Sequence, residues 1–144
     1  MSLKMEVENL DEKLKKLVKT MPEVKAAMLV STEGFPIAAA LSRSIDRIQM
    51  AGMTAALLSL AERSIIEMAK GKFEQLFIRG KNGYILVLQT GPNVVLAIST
   101  THKVKLRLII HDIKENFSEF GTYTPLVPFI ELDSSDFNDN IEKK

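Results

Sequence analysis

Apolar residues recur through the first twenty-one positions in steps of three and four: Leu3, Val7, Leu10, Leu14, Leu17 and Met21. That spacing gathers them on one face of a helix. Lys13, Lys15, Lys16 and Lys19 fall off the stripe, and Pro22 closes the helix. From Val24 to Ser31 the chain is apolar on both alternations, as a strand covered on both faces would be. "STEG" turns it, and Phe35 to Leu41 return as a second strand of the same character. A long helix is predicted from about Asp46 to Lys70. Asp46 with Gln49 three residues on reads as a capping box, and Gly71 suits the stop. Three strands are predicted next: Phe73 to Arg79, Tyr84 to Thr90 and Val94 to Ser99. Asn82-Gly83 suits a type I′ hairpin turn, which needs positive φ, and Gly91-Pro92-Asn93 marks the following turn. Leu106, Ile109, Ile110, Ile113, Phe117 and Phe120 form the stripe of a last helix ending at Gly121.

The order helix, two strands, helix, three strands, helix predicts an α+β domain. Its five-stranded, largely antiparallel sheet is sandwiched by helices. Sandwiching explains why a tight hairpin is built from segments so poor in polar residues: neither face of the sheet is wet. The domain is expected over residues 1–120, with an extension over 121–144. "TYTPLVPFIEL" reads as extended and docked to about residue 132, and "DSSDFNDNIEKK" as mobile. The docked part either covers core edges or engages a partner. No internal repeat or low-complexity tract interrupts the chain.

The long helix carries more apolar surface than one sheet needs. At about 100° per residue, Met50, Met53, Leu57, Leu60, Ala61, Ile65 and Met68 share one broad face, expected against the sheet. Beyond it lie Ile48, Ala55 and Ile66, then the small residues Gly52, Ala56 and Ser59. A helix apolar or small around most of its circumference calls for a second partner. The first and last helices have one stripe each, both spent on the other sheet face, so self-association is the expected use. "FEQLFIR", Phe73 to Arg79, agrees. If this strand lies at the sheet edge, it is long, apolar and free of proline, which invites pairing with another chain. The expected dimer interface is Gly52, Ala55, Ala56, Ser59, Phe73, Gln75 and Phe77.

Composition narrows the function. With 144 residues the chain fits one domain with a real core. Nineteen basic and eighteen acidic residues nearly cancel, so no global field draws it to nucleic acid or membrane. Residues 121–144 hold five acids (Glu131, Asp133, Asp136, Asp139 and Glu142) against two lysines, net −3, which leaves the rest at +4. The absence of cysteine excludes disulfides and zinc-thiolate sites and is compatible with a reducing, cytoplasmic setting. No apolar run has membrane-spanning length, and no signal-peptide core is seen near the start.

Candidate chemistry is thin. His102 and His111 have no clustered carboxylate, and His111-Asp112 are adjacent on a helix and diverge. Ser31, Ser42 and Ser44 lie near turns, where serine is a turn former. Gly80 and Gly83 lack the Lys-Ser/Thr of a phosphate loop. Lys103, Lys105, Arg107 and Lys114 on the last helix read as a solvated face. No catalytic, cofactor or metal site is expected, and the chain is read as not an enzyme.

"MLVSTEGFPIAAAL" and "AALLSLAERSIIEMAKGKFEQLFIRGKNGYILVLQTGPNVVLAI" resemble the Roadblock/dynein light chain family over about residues 8 to 120. The likeness lies in the whole order of elements rather than in one motif. It implies a homodimer or heterodimer with a shared sheet, a fold related to profilin-like shapes, and a role as partner and regulator of small Ras-like GTPases. Arg43, Gln49, Arg63 and Glu67, with Arg47, are the polar groups at the start and outer side of the long helix; they either keep it soluble as ordinary exposed residues or frame the face presented to the GTPase. Two other readings stand: an adaptor subunit of a motor or polarity complex without GTPase contact, and a small-ligand sensor, for which no convergent polar set is seen.

Overall fold

The computed structural model describes residues 3–117. Helix α1 (Leu3–Thr20) leads into strands β1 (Val24–Ser31) and β2 (Pro36–Ala40), helix α2 (Arg47–Glu67), strands β3 (Gln75–Gly80), β4 (Gly83–Gly91) and β5 (Val94–Thr101), and helix α3 (Leu106–Phe117). The side chains of Leu3, Val7 and Lys114, the stripe residue Phe120, the stop at Gly121 and the extension 121–144 lie outside the described residues.

The five strands form one antiparallel sheet in the order β2-β1-β5-β4-β3. Alternation along β1 sends Ala27 and Leu29 to one face and Ala26, Met28 and Val30 to the other, all fully buried. Leu10, Leu14 and Leu17 of α1 and Leu106, Ile109, Ile110, Ile113 and Phe117 of α3 fill the first face with Leu86, Leu88, Leu96 and Ile98. Met50, Ala51 and Leu58 of α2 cover the second with Val87, Val95 and Ala97. The expected division therefore holds: two helices on one face, the long helix alone on the other.

The sheet edges differ. At β2, Pro36 has no N–H to offer, and the Ala39 N–H donates to Asp11 Oδ1 of α1 at 3.0 Å. The strand is only five residues long, and α1 packs across it. At the far side, β3 pairs among the described residues with β4 alone.

Three local readings need correction. The long helix is 21 residues, Arg47–Glu67, with Asp46 as N-cap accepting from the Ile48 and Gln49 amides (2.9 and 3.1 Å). Its stop is Ala69, not Gly71. Ala69 sits at φ 56°, its N–H donates to Ile66 O, and the Lys70 N–H reaches back to Ile65 O at 2.8 Å. These two bonds satisfy the last carbonyls in the manner of a Schellman motif. Gly71, at φ 92°, follows two residues later.

The β3–β4 turn is also one residue earlier than expected. Gly80 pairs with Gly83, so Lys81 and Asn82 are the central residues, and Asn82 does not take positive φ. Gly83 is needed for a different reason: a Cβ there would lie 1.8 Å from Thr100 O of β5.

The third correction concerns which side of α2 meets the sheet. Met50, Ala51, Thr54 and Leu58 are buried, while Met53, Leu60 and Met68 are 53%, 66% and 72% exposed. The true sheet-facing side is turned by roughly a fifth of a turn from the expected one. The helix approaches the sheet over small residues, Ala26, Ala39 and Ala97. Ala51 and Thr54 therefore fit beneath it, the Thr54 hydroxyl being satisfied by Met50 O at 2.8 Å.

Candidate functional site

The correction enlarges the candidate surface. Gly52, Ala56 and Ser59 are exposed on the outer side of α2, as expected, and Met53 and Leu60 join them there. Steps of three and four connect Gln49, Met53, Ala56, Leu60, Arg63 and Glu67 along one outward line. Ile48 and Ile66, both exposed, border it. Four large apolar side chains on or beside the outer face of α2 (Ile48, Met53, Leu60, Ile66) thus face solvent, and Met68 is exposed just past its end. Such a concentration marks an interaction surface more often than scattered single residues do. Met53 and Leu60 had a signal in the sequence, since each is three or four residues from Ala56. Their size argued for the core and masked it.

The other expected interface residues divide. Ala55 is half-buried on the flank of α2, where a Cβ on Gly34 of the β1–β2 turn would come within 3.3 Å of its own Cβ. Phe73, Gln75 and Phe77 are half-buried along the β3 edge. Phe73 packs with the α2-side core and Phe77 with the opposite core. Gln75 has both side-chain polar atoms out of solvent with no hydrogen-bond partner. A buried amide in that condition costs free energy until something pairs with it.

Gln49, Arg63 and Glu67 bracket the apolar centre of the outer face, and Arg43 lies exposed in the loop before α2. They do not cluster: Gln49 and Arg63 stand fourteen residues apart, about 21 Å along the axis. Arg63 Nε donates to Glu67 Oε1 at 3.0 Å, an exposed i,i+4 pair. Such a pair contributes only a few tenths of a kcal/mol to the fold, so its two side chains remain available to a partner.

The remaining reactive types have structural explanations. Ser31 Oγ accepts from the Phe35 N–H at 3.0 Å within the turn, and Ser42 and Ser44 share a hydrogen bond. His102 and His111 are both exposed, one in the β5–α3 connection and one on α3. Among the described residues no group of three or more His, Asp or Glu could hold a metal ion, and no helix is long and apolar enough to cross a membrane.

A three-layered sandwich, helices on both faces of an antiparallel sheet, with one sheet edge unpaired among the described residues and one apolar outer helix face, is a defined class of small domain. Residues 10–100 match the Roadblock/LC7 domain, and the chain belongs to that family. The Methanocaldococcus jannaschii protein MJ0310 is 35% identical over 86 residues, 60% of this chain and 75% of that protein. The Roadblock/LC7 domain from Streptomyces avermitilis superposes with a TM-score of 0.70 at 18% identity, covering 85% of this chain and 98% of that one. Myxococcus xanthus MglB also gives 0.70, at 19% identity, over 96% and 91% of the two chains. At those identities the two structures share the fold with this chain.

Proposed function

We propose that this chain is a non-catalytic, dimeric regulator of a small Ras-like GTPase. Two copies join β3 to β3 into a continuous sheet, with their α2 helices side by side on one face. Gly52, Ala56 and Ser59 let the helices approach closely, while Met53 and Leu60 supply the apolar area. The observation that carries this reading is the exposed apolar line of α2, together with an edge strand, β3, that pairs among the described residues with β4 alone. A stable interface of this kind removes on the order of 1,200–2,000 Å² from water.

The GTPase half of the reading rests on family membership and on what the resemblance implies. MglB from Thermus thermophilus, a gliding protein, shares the fold with a TM-score of 0.63 at 15% identity. Phosphoryl transfer by the chain itself would need a phosphate cradle, a Mg²⁺ site and charge stabilisation, and the sequence offers no motif for these. Paired α2 helices form a broad two-fold platform on which one globular partner sits. An asymmetric partner at its centre blocks a second copy, so the expected ratio is one GTPase per dimer.

Calorimetry against a Ras-like GTPase encoded beside this chain's gene, loaded first with GDP and then with a GTP analogue, tests the proposal. Heat is expected in a nucleotide-dependent way. Replacing Arg43, Gln49, Arg63 and Glu67 together by alanine should impair binding and leave the dimer intact. No heat in either state would favour an adaptor without GTPase contact.

A further inference from the structure

The near-zero net charge of the chain conceals a local excess. Three connections finish side by side at one end of the sheet. Thr101 of β5 pairs with Gly83 of β4, Gly83 pairs with Gly80 of β3, and the Thr101 N–H donates to Glu23 O, just before β1, at 2.8 Å. Strands in register are spaced about 4.8 Å apart, so the α1–β1, β3–β4 and β5–α3 connections end close to one plane. Lys19, Lys25, Arg79, Lys81, Lys103 and Lys105 border them. All six are exposed, and none forms an ion pair among the described residues.

Glu23 is the sole carboxylate on these connections, half-buried with one oxygen out of solvent. Six cations against one acid give this end an excess of five positive charges, on a chain whose formal net charge is +1. Residues 1–117 carry seventeen basic and twelve acidic residues, net +5, so their whole excess lies at this end and their other charges cancel.

We infer that this end docks on an anionic phospholipid surface. A flat array suits a flat partner. Five of the six cations are lysines, flexible point charges that suit diffuse attraction to many headgroups, whereas a fixed bidentate site favours arginine. The aromatic nearest the tips, Tyr84, is buried, so no ring is offered for base stacking. Leu108, 53% exposed on the first turn of α3, stands three residues beyond Lys105 and adds an apolar contact beside the charges. Lys103 and Lys105, which look like an ordinary solvated face in sequence, acquire this role only through the register that brings Arg79 and Lys81 beside them.

The test is co-sedimentation of the full chain with phosphatidylcholine vesicles, alone or containing about a third phosphatidylglycerol. Binding is expected only with the anionic lipid and should fall steeply as salt shortens the screening length. Lys81→Ala, Lys103→Ala and Lys105→Ala combined should weaken it about a hundredfold, at about fivefold per lysine. Lys70→Ala with Lys72→Ala, at the opposite end of the sheet, should leave it unchanged, and circular dichroism should report the same fold for both variants. Absence of lipid-dependent binding at low salt, or equal losses in the two variants, would overturn the inference. So would release from the vesicles by an oligonucleotide or by polyglutamate at low stoichiometry, which would assign the surface to another class of polyanion.

Discussion

Leu60→Glu tests the helix face most directly. Leu60 is 66% exposed in the isolated protomer, so about two-thirds of its burial free energy is still to be gained by association. Complete burial of a leucine is worth about 1.5–3 kcal/mol, which leaves about 1–2 kcal/mol per copy and about 2–4 kcal/mol for a symmetric pair. At 1.4 kcal/mol per decade, losing that contribution raises the dissociation constant by roughly thirty- to a thousandfold. Two carboxylates brought near each other at the interface add to the effect. The protomer itself should fold normally, because the side chain contributes little to either core. Sedimentation velocity across the micromolar range reads the dimer constant. Leu108→Glu is the control, a leucine of similar exposure (53%) on α3, over the other sheet face. The reasoning fails if the unmodified protein sediments as a monomer throughout. It fails equally if the two variants shift the constant alike, since general surface hydrophobicity would then be the cause.

Three further substitutions separate fold from association. Gly52→Ala places a Cβ with nothing within 4 Å in the protomer; it should raise protomer stability by about 1 kcal/mol through helix propensity, yet weaken the dimer in the same sedimentation assay. Ala69→Gly relieves a left-handed residue at φ 56°; about 1 kcal/mol of stabilisation should appear as a melting temperature a few degrees higher. Gly83→Ala drives a Cβ to 1.8 Å from Thr100 O, forcing β4 from β5, and a loss of more than about 3 kcal/mol should show as a lowered urea midpoint.

Element order and the two-sided sheet were legible because they rest on periodicity, which survives any tertiary arrangement. Val24 to Ser31 reads as doubly covered from its own residues, and helices do lie on both faces. Details that depend on what a residue meets were less legible. Met53 and Leu60 looked like core because they are large, but the sheet opposite α2 includes Ala26, Ala39 and Ala97 and takes the smaller Ala51 and Thr54 alongside Met50 and Leu58. Ala69 adopts a glycine's conformation because the bonds to Ile65 and Ile66 hold it there, which no propensity scale registers. Gly83 was noticed for the wrong reason, a turn conformation instead of a close crossing with β5. Of the candidate site, the small-residue line on α2 was readable in sequence. The charged end was not, since its residues come from three separate stretches that only strand register brings together.

The hydrogen bond from the Ala39 N–H to Asp11 gives the sheet a valence. A β-sheet with two open edges is a bifunctional monomer, and under mass action its products are chains of any length. With β2 occupied by its own helix, β3 is the one edge left unpaired among the described residues. Two copies joined through β3 as proposed would leave no second edge to extend, so growth would terminate at two whatever the concentration. Asp11 would then act as the chain stopper, a single carboxylate on the first helix that limits the size of the assembly from the side remote from its interface.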